Sequence, residues 1–215
     1  VGLTIDEMLA DAAVFKGRHL VAHSFAVRVP RWVRPLVDPF AGVIPSRLGQ
    51  LEASRFDQLH HGVSAIGVVC HDLTHDCPRY LATGDDGGVR LYDAVATSAA
   101  VPDMFAAQPI RYRGVVSEFT DGGVSDALPV EFAGTPPLGA THIIASDCRS
   151  RGRPLEETDR LIYLRPGLDD TRTLKAPKES LLKAVAAGEA TVTEDVLARI
   201  RSWPKPKTQS PKPKA

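Results

Sequence analysis

Phe119-Thr120-Asp121-Gly122-Gly123-Val124-Ser125-Asp126-Ala127-Leu128-Pro129-Val130 is the stretch on which the reading of this chain turns. A β-type run, Val115-Val116-Ser117-Glu118-Phe119, leads straight into an acid followed by two glycines. Adjacent glycines permit positive φ and a sharp turn, at an entropic cost that has little use inside a strand. The pattern predicts a strand ending at Asp121, a bend at Gly122 and Gly123, and a carboxylate held over fixed backbone. Catalysis can use a carboxylate so placed. The same tripeptide also makes an ordinary turn, since Asp and Gly both favour turns.

Working outward, Asp93-Ala94-Val95-Ala96-Thr97-Ser98-Ala99-Ala100-Val101-Pro102-Asp103-Met104-Phe105 stands upstream, and Leu138-Gly139-Ala140-Thr141-His142-Ile143-Ile144-Ala145-Ser146-Asp147 downstream. The order A-x-x-x-S-A-A-V-P-x-x-F, D-G-G-V-x-D-x-L-P-V and L-G-A-x-x-I-I-A resembles the C-terminal half of patatin-like phospholipases. The resemblance is dense from about Tyr92 to Asp147 and thinner on either side. It implies an α/β fold of the patatin-like layered kind, with a mostly parallel central sheet flanked by helices and incomplete at its N-terminus. It also implies a Ser–Asp dyad with Asp121 as the acid, Gly122 and Gly123 letting substrate and serine approach closely. The substrate would be a lipid or another acyl ester, with no metal and no organic cofactor. Ala127 departs from the pattern, which often has Asn there.

A serine hydroxyl becomes a useful nucleophile once a base accepts its proton, and a positioned carboxylate can do this without histidine. A free aspartate, with a pKa near ~3.9, is a weak base, so position and partial desolvation must compensate. The serine of such a dyad belongs in a G-x-S-x-G turn after a strand, with oxyanion donors in a Gly-rich loop before it. Neither occurs in the 215 residues. The nearest match, Gly62-Val63-Ser64-Ala65-Ile66-Gly67, spaces its second glycine one residue too far and runs into a strand. A fluorophosphonate is therefore expected not to label the 215-residue chain, at Ser64 or elsewhere, and the chain alone is expected to be inactive. Ser98 and Ser125, the other serines in the matched blocks, include one at a helix end, where Ser98 is expected to be structural.

The bulk numbers suit one domain over 1–203 with a tail over 204–215. Formal net charge is zero, so no global charge draws the chain to nucleic acid or anionic lipid. The hydrophobic share of 43% is ordinary, and no apolar run approaches the ~20 residues of a membrane span. Three cysteines argue against a disulfide framework and for reduced thiols, and a cytoplasmic setting is the matching expectation. The tail, PKPKTQSPKPKA, holds four prolines and four lysines and too little apolar surface to order itself. It is a weak handle for a membrane surface, which it could touch transiently, and no specific nucleic-acid partner is expected.

Along the chain, Thr4-Ile5-Asp6-Glu7 reads as a capping box, with Ile5, Met8, Leu9, Ala12 and Ala13 on one helix face. Residues 28–45 carry four prolines with Trp32 and Phe40, an irregular packed connection or a lid that meets lipid. A helix is predicted from Ser46 to about His60, with Phe56 on its apolar side. Ala65 to Cys70 suits a strand buried on both faces, as in a parallel sheet. Further predictions are a turn at 84–88, a helix over 89–100, strands over 141–145 and 161–164, and helices over 178–187 and 193–203, the first stopping at Gly188.

The cluster Cys70-His71-Asp72-Leu73-Thr74-His75-Asp76-Cys77 invites a zinc reading. Against it, strand alternation sends Cys70 and Asp72 to one face and His71 to the other, and a hairpin is the expected structure. Three functions thus stand open: a patatin-like acyl hydrolase, a non-catalytic lipid- or protein-binding relative of that fold, and a metal-binding α/β domain.

Overall fold

Strand β1 (Gly67–Asp72) lies inside a four-stranded sheet and carries neighbours on both of its edges. The computed structural model describes residues 4–14, 54–103, 105–149, 152–168 and 178–204. The proline-rich segment with Trp32 and Phe40, and all of the Lys/Pro tail beyond Pro204, lie outside these residues. A four-residue turn joins β1 to β2 (Cys77–Ala82), with Cys70 opposite Arg79 and Asp72 opposite Cys77. Strands β3 (Gln108–Tyr112) and β4 (Val115–Asp121) form a second hairpin, and β4 pairs with β1 to give the order β2-β1-β4-β3. The two residues between β3 and β4, Arg113 and Gly114, both have positive φ, as the commonest tight hairpin turn requires. Both edge strands carry a proline, Pro78 and Pro109, where the missing N–H does least harm.

Alternation along β1 supplies two cores. Val68 and Cys70 pack with Leu81, Phe119 and the helix α2 (Leu91–Ser98), whose Leu91 and Ala94 are buried. Val69 faces the other way, onto Ala82, Phe132 and Leu138, with Phe132 supplied by the short helix α3 (Val130–Gly134). The burial of β1 on both faces is therefore as expected, and its pairing is not. A mostly parallel central sheet is corrected here: all three pairings of the larger sheet are antiparallel. For β1–β2 and β3–β4 the reason is chain length, because connections of four and two residues can join only antiparallel neighbours. The parallel element is a separate pair, β5 (Ile143–Ser146) beside β6 (Leu161–Leu164). The fold is mixed α/β.

The flanking helices depart from the sequence in instructive ways. Helix α1 (Ile5–Val14) opens on the predicted capping box: the Glu7 N–H donates to Thr4 Oγ1 at 3.2 Å, and the Thr4 N–H to Glu7 Oε2 at 2.8 Å. Its expected apolar face leaves Ile5 71% exposed. The described end of the predicted 46–60 helix, from Ser54, is a set of turns instead. Phe56 is buried there as an anchor, its carbonyl accepting from Thr83 Oγ1 at 2.6 Å. Helix α4 (Lys178–Ala190) runs through Gly188, whose carbonyl then caps the end by accepting from Thr191 N–H and Oγ1. Helix α5 (Glu194–Ser202) starts at Thr193, and Arg199 ties it to Glu157 and to the carbonyls of Thr158 and Leu161. Among the described residues no helix is long and apolar enough to cross a membrane.

Candidate functional site around Asp121

Strand β4 ends at Asp121, as its sequence predicts, and the chain passes into a 3-10 turn over Gly122–Val124. Asp121 Oδ1 accepts the Gly123 N–H at 2.6 Å and so caps that turn. The carboxylate is half-buried, and among the described residues its second oxygen has no hydrogen-bond partner. The glycines serve a different purpose from the one expected. Neither adopts positive φ. Gly122 is buried so close to β1 that a Cβ there would overlap the Val69 carbonyl, and a Cβ on Gly123 would lie 2.8 Å from Asp121 Oδ1. Close approach of two backbones, rather than an unusual torsion, demands glycine. Gly122→Ala is expected to cost at least the ~1–3 kcal/mol of an overpacked core, because a backbone carbonyl cannot rotate away. A thermal melt within about 1 °C of wild type would contradict it.

The first two sequence blocks meet here, and the third packs on the other face of β1. Ala100, after the end of α2, offers one carbonyl to both the Asp121 N–H (3.2 Å) and Thr120 Oγ1 (2.8 Å), joining the first block to the second. Leu138 opens the third block and packs with Phe132 against Gly67 and Val69. Cys70, the Cα partner of Asp121, lies buried with its thiol on the Ala94 carbonyl at 3.5 Å. Burial, and then the Asp121 charge, push that thiol up to about 12, so it stays protonated at neutral pH. Ala127 is exposed, and the loop gains its hold elsewhere. Ser125 Oγ meets His71 Nδ1, and Tyr80 OH donates to Asp126 Oδ2 at 3.0 Å. Burial, with that bond second, raises the Tyr80 pKa and keeps the phenol a donor.

Ser64 and Ser98 are not at this carboxylate's hydrogen-bonding atoms. Ser64 is exposed on the loop before β1, and Ser98 closes α2 half-buried. Two clefts, of about 570 Å³ between β6 and α5 and about 330 Å³ beside Phe56 and Asp86, do not include Asp121.

In the Cys70–Cys77 segment the hairpin forms as expected. Asp72 is fully buried and spends both oxygens: Oδ1 accepts the N–H groups of Thr74 and His75, Oδ2 accepts from His75 Nδ1 and twice from Arg79. Burial pushes its carboxyl up, but the Arg79 and His75 bonds together outweigh it and leave the pKa lowered. Among the described residues no three acid, histidine or cysteine side chains are placed to hold a metal ion.

A second buried acid, Asp147, follows the end of β5 and was missed as a network centre, because its partners come from β6 and from two residues downstream. Arg149 grips both its oxygens at 2.8 and 2.9 Å, and Tyr163 donates at 2.5 Å. The Arg149 bonds lower the Asp147 carboxyl well below the usual range, against the opposing pull of burial. A carboxyl lowered by folding stabilises fully above its unfolded pKa, near ~3.9, and loses that contribution as pH falls toward the folded value. With Asp72 and Asp147 both lowered, the urea midpoint should be flat from about pH 7 to about pH 5 and drop below about pH 4. Asp147→Asn should make the drop shallower, as urea titrations at several pH values would register. A slope that Asp147→Asn leaves intact would rule this carboxyl out as a source.

No protein-family model matches the chain, and no curated protein does.

Proposed function

We propose that this chain is the acid-bearing part of a patatin-like lipid acyl hydrolase, a layered α/β fold in which Asp121 activates a serine supplied from outside these residues. The observation that carries this reading is Asp121 itself: a half-buried carboxylate at a strand end, fixed through one oxygen and without a partner at the other among the described residues. Support also comes from the meeting of two sequence blocks, 93–105 and 119–130, at that strand end. Asp121 would accept the serine proton as the hydroxyl attacks an ester carbonyl, and water would then hydrolyse the acyl-serine. The Lys/Pro tail could add a transient contact with a membrane surface. Cytoplasmic residence belongs to the same proposal.

A non-catalytic lipid- or protein-binding relative is the second reading. Ester hydrolysis by the protein that carries the serine turn, compared with its Asp121→Asn variant, separates the two. Equal turnover, or none in either, would leave the binder standing.

A further inference from the structure

On the face of the sheet opposite Asp121, a histidine stands behind an exposed serine. His71 is the Cα partner of Thr120 and Cys70 that of Asp121, so the pleat sends His71 and Asp121 to opposite faces. The His71 side chain is 8% exposed. Its Nδ1 meets Ser125 Oγ, and Ser125 is open to solvent. Its Nε2 lies 3.4 Å from Asp76 Oδ1 in the β1–β2 turn. An acid on Nε2–H leaves the Nδ1 lone pair for the Ser125 hydroxyl, the arrangement by which a base activates a serine.

We infer that Ser125 is an acyl-acceptor site, with His71 as its base and Asp76 orienting the ring, reactive toward activated carboxylic esters. In the step, a bond forms between Ser125 Oγ and the acyl carbon while the carbon–oxygen bond to the leaving group breaks. The serine proton passes to His71 Nδ1 and then to the departing alkoxide, so ester plus serine gives acyl-serine plus alcohol. Two features limit the rate. Asp76 is 96% exposed, so its charge is screened and it contributes mainly orientation. The N–H groups of Ser125 and Asp126 both donate to the Gly122 carbonyl, and that of Gly123 to Asp121, so none of the three is free for an oxyanion. The site transfers one acyl group slowly rather than turning over. It does not rest on Asp121 as a catalytic base.

The test is to treat the 215-residue chain with p-nitrophenyl acetate and, separately, with a fluorophosphonate, and to map adducts by peptide mass spectrometry. With the fluorophosphonate an Oγ–P bond replaces P–F and hydrogen fluoride leaves. The expected result is one adduct at Ser125, absent in Ser125→Ala and unchanged in rate by Ser64→Ala on the exposed loop before β1. His71→Gln should slow it at least about 10-fold, less than the ~10²–10⁴ of a fully built general base. Because His71 is buried, circular dichroism must first show that variant folded. If it is not, Asp76→Asn on the exposed turn decides, with an expected slowing of about twofold or more. No adduct at Ser125, or an undiminished rate in folded His71→Gln (or in Asp76→Asn where that variant decides), overturns the inference.

Discussion

If the proposed Ser–Asp dyad holds, Asp121→Asn in a protein that includes the serine turn is expected to lower kcat for ester hydrolysis by about 10²–10⁴-fold, with KM nearly unchanged. The substitution is chosen for what it keeps. An asparagine carbonyl can still accept the Gly123 N–H, so the 3-10 turn over Gly122–Val124 retains its cap. What the amide cannot do is accept a proton at neutral pH. If Asp121 acts only as that cap, asparagine satisfies the role and turnover stays within a few-fold of wild type. If it acts as a base, turnover falls while the melting temperature holds. Asp121→Ala makes the complementary variant, because it removes cap and base together and should lower stability by about 1 kcal/mol as well. A turnover ratio near one for the asparagine variant, with folding confirmed, would end the dyad reading.

The strand before Asp121 was legible because β-branched Val115 and Val116 run into Asp-Gly-Gly, and two glycines end a strand. The hairpin through 70–77 was legible for a similar reason, since alternation divides Cys70 and Asp72 from His71. Pairing partners are not written in local pattern. Cys77-Pro78-Arg79-Tyr80-Leu81-Ala82 and Gln108-Pro109-Ile110-Arg111-Tyr112 each carry a proline and a charge, which argue against a central strand, and both prove to be edges. Without them, buried β1 looked like a parallel strand, because burial on both faces is the usual mark of one. Here α2 on one side and Phe132 with Leu138 on the other produce that burial around antiparallel pairs. The site shows the same division. Asp121 was visible as a residue type in a motif, whereas the His71–Ser125 contact spans 54 positions and depends on the β1–β4 register. The glycines were found for the wrong reason, since nothing in the sequence reveals that Val69 lies against Gly122.

Asp72→Ala should have the largest effect on stability, about 3–5 kcal/mol, the cost of leaving a buried ion pair without one partner. Five donors converge on this carboxylate from a turn, a strand and two side chains, so its removal strands all of them. Arg79 is the costliest to abandon. Its side chain is 26% exposed and stacks 5.2 Å from the centre of the Tyr112 ring, so water reaches it poorly. With a urea m-value of ~1–3 kcal/mol/M the midpoint should fall by roughly 1 M or more. Asp72→Asn tests which part matters: an amide oxygen can still accept the Thr74 and His75 N–H groups but gives Arg79 no opposite charge. A loss nearly as large as that of Asp72→Ala assigns the effect to the ion pair, and a small loss assigns it to the turn. Pairing Asp72→Leu with Arg79→Met removes both charges, and should recover much of the stability if the penalty lies in the unpaired guanidinium. A shift under about 1 kcal/mol in Asp72→Ala would mean the hairpin is held by β1–β2 pairing alone, and the acid between Cys70 and Cys77 would again need another use.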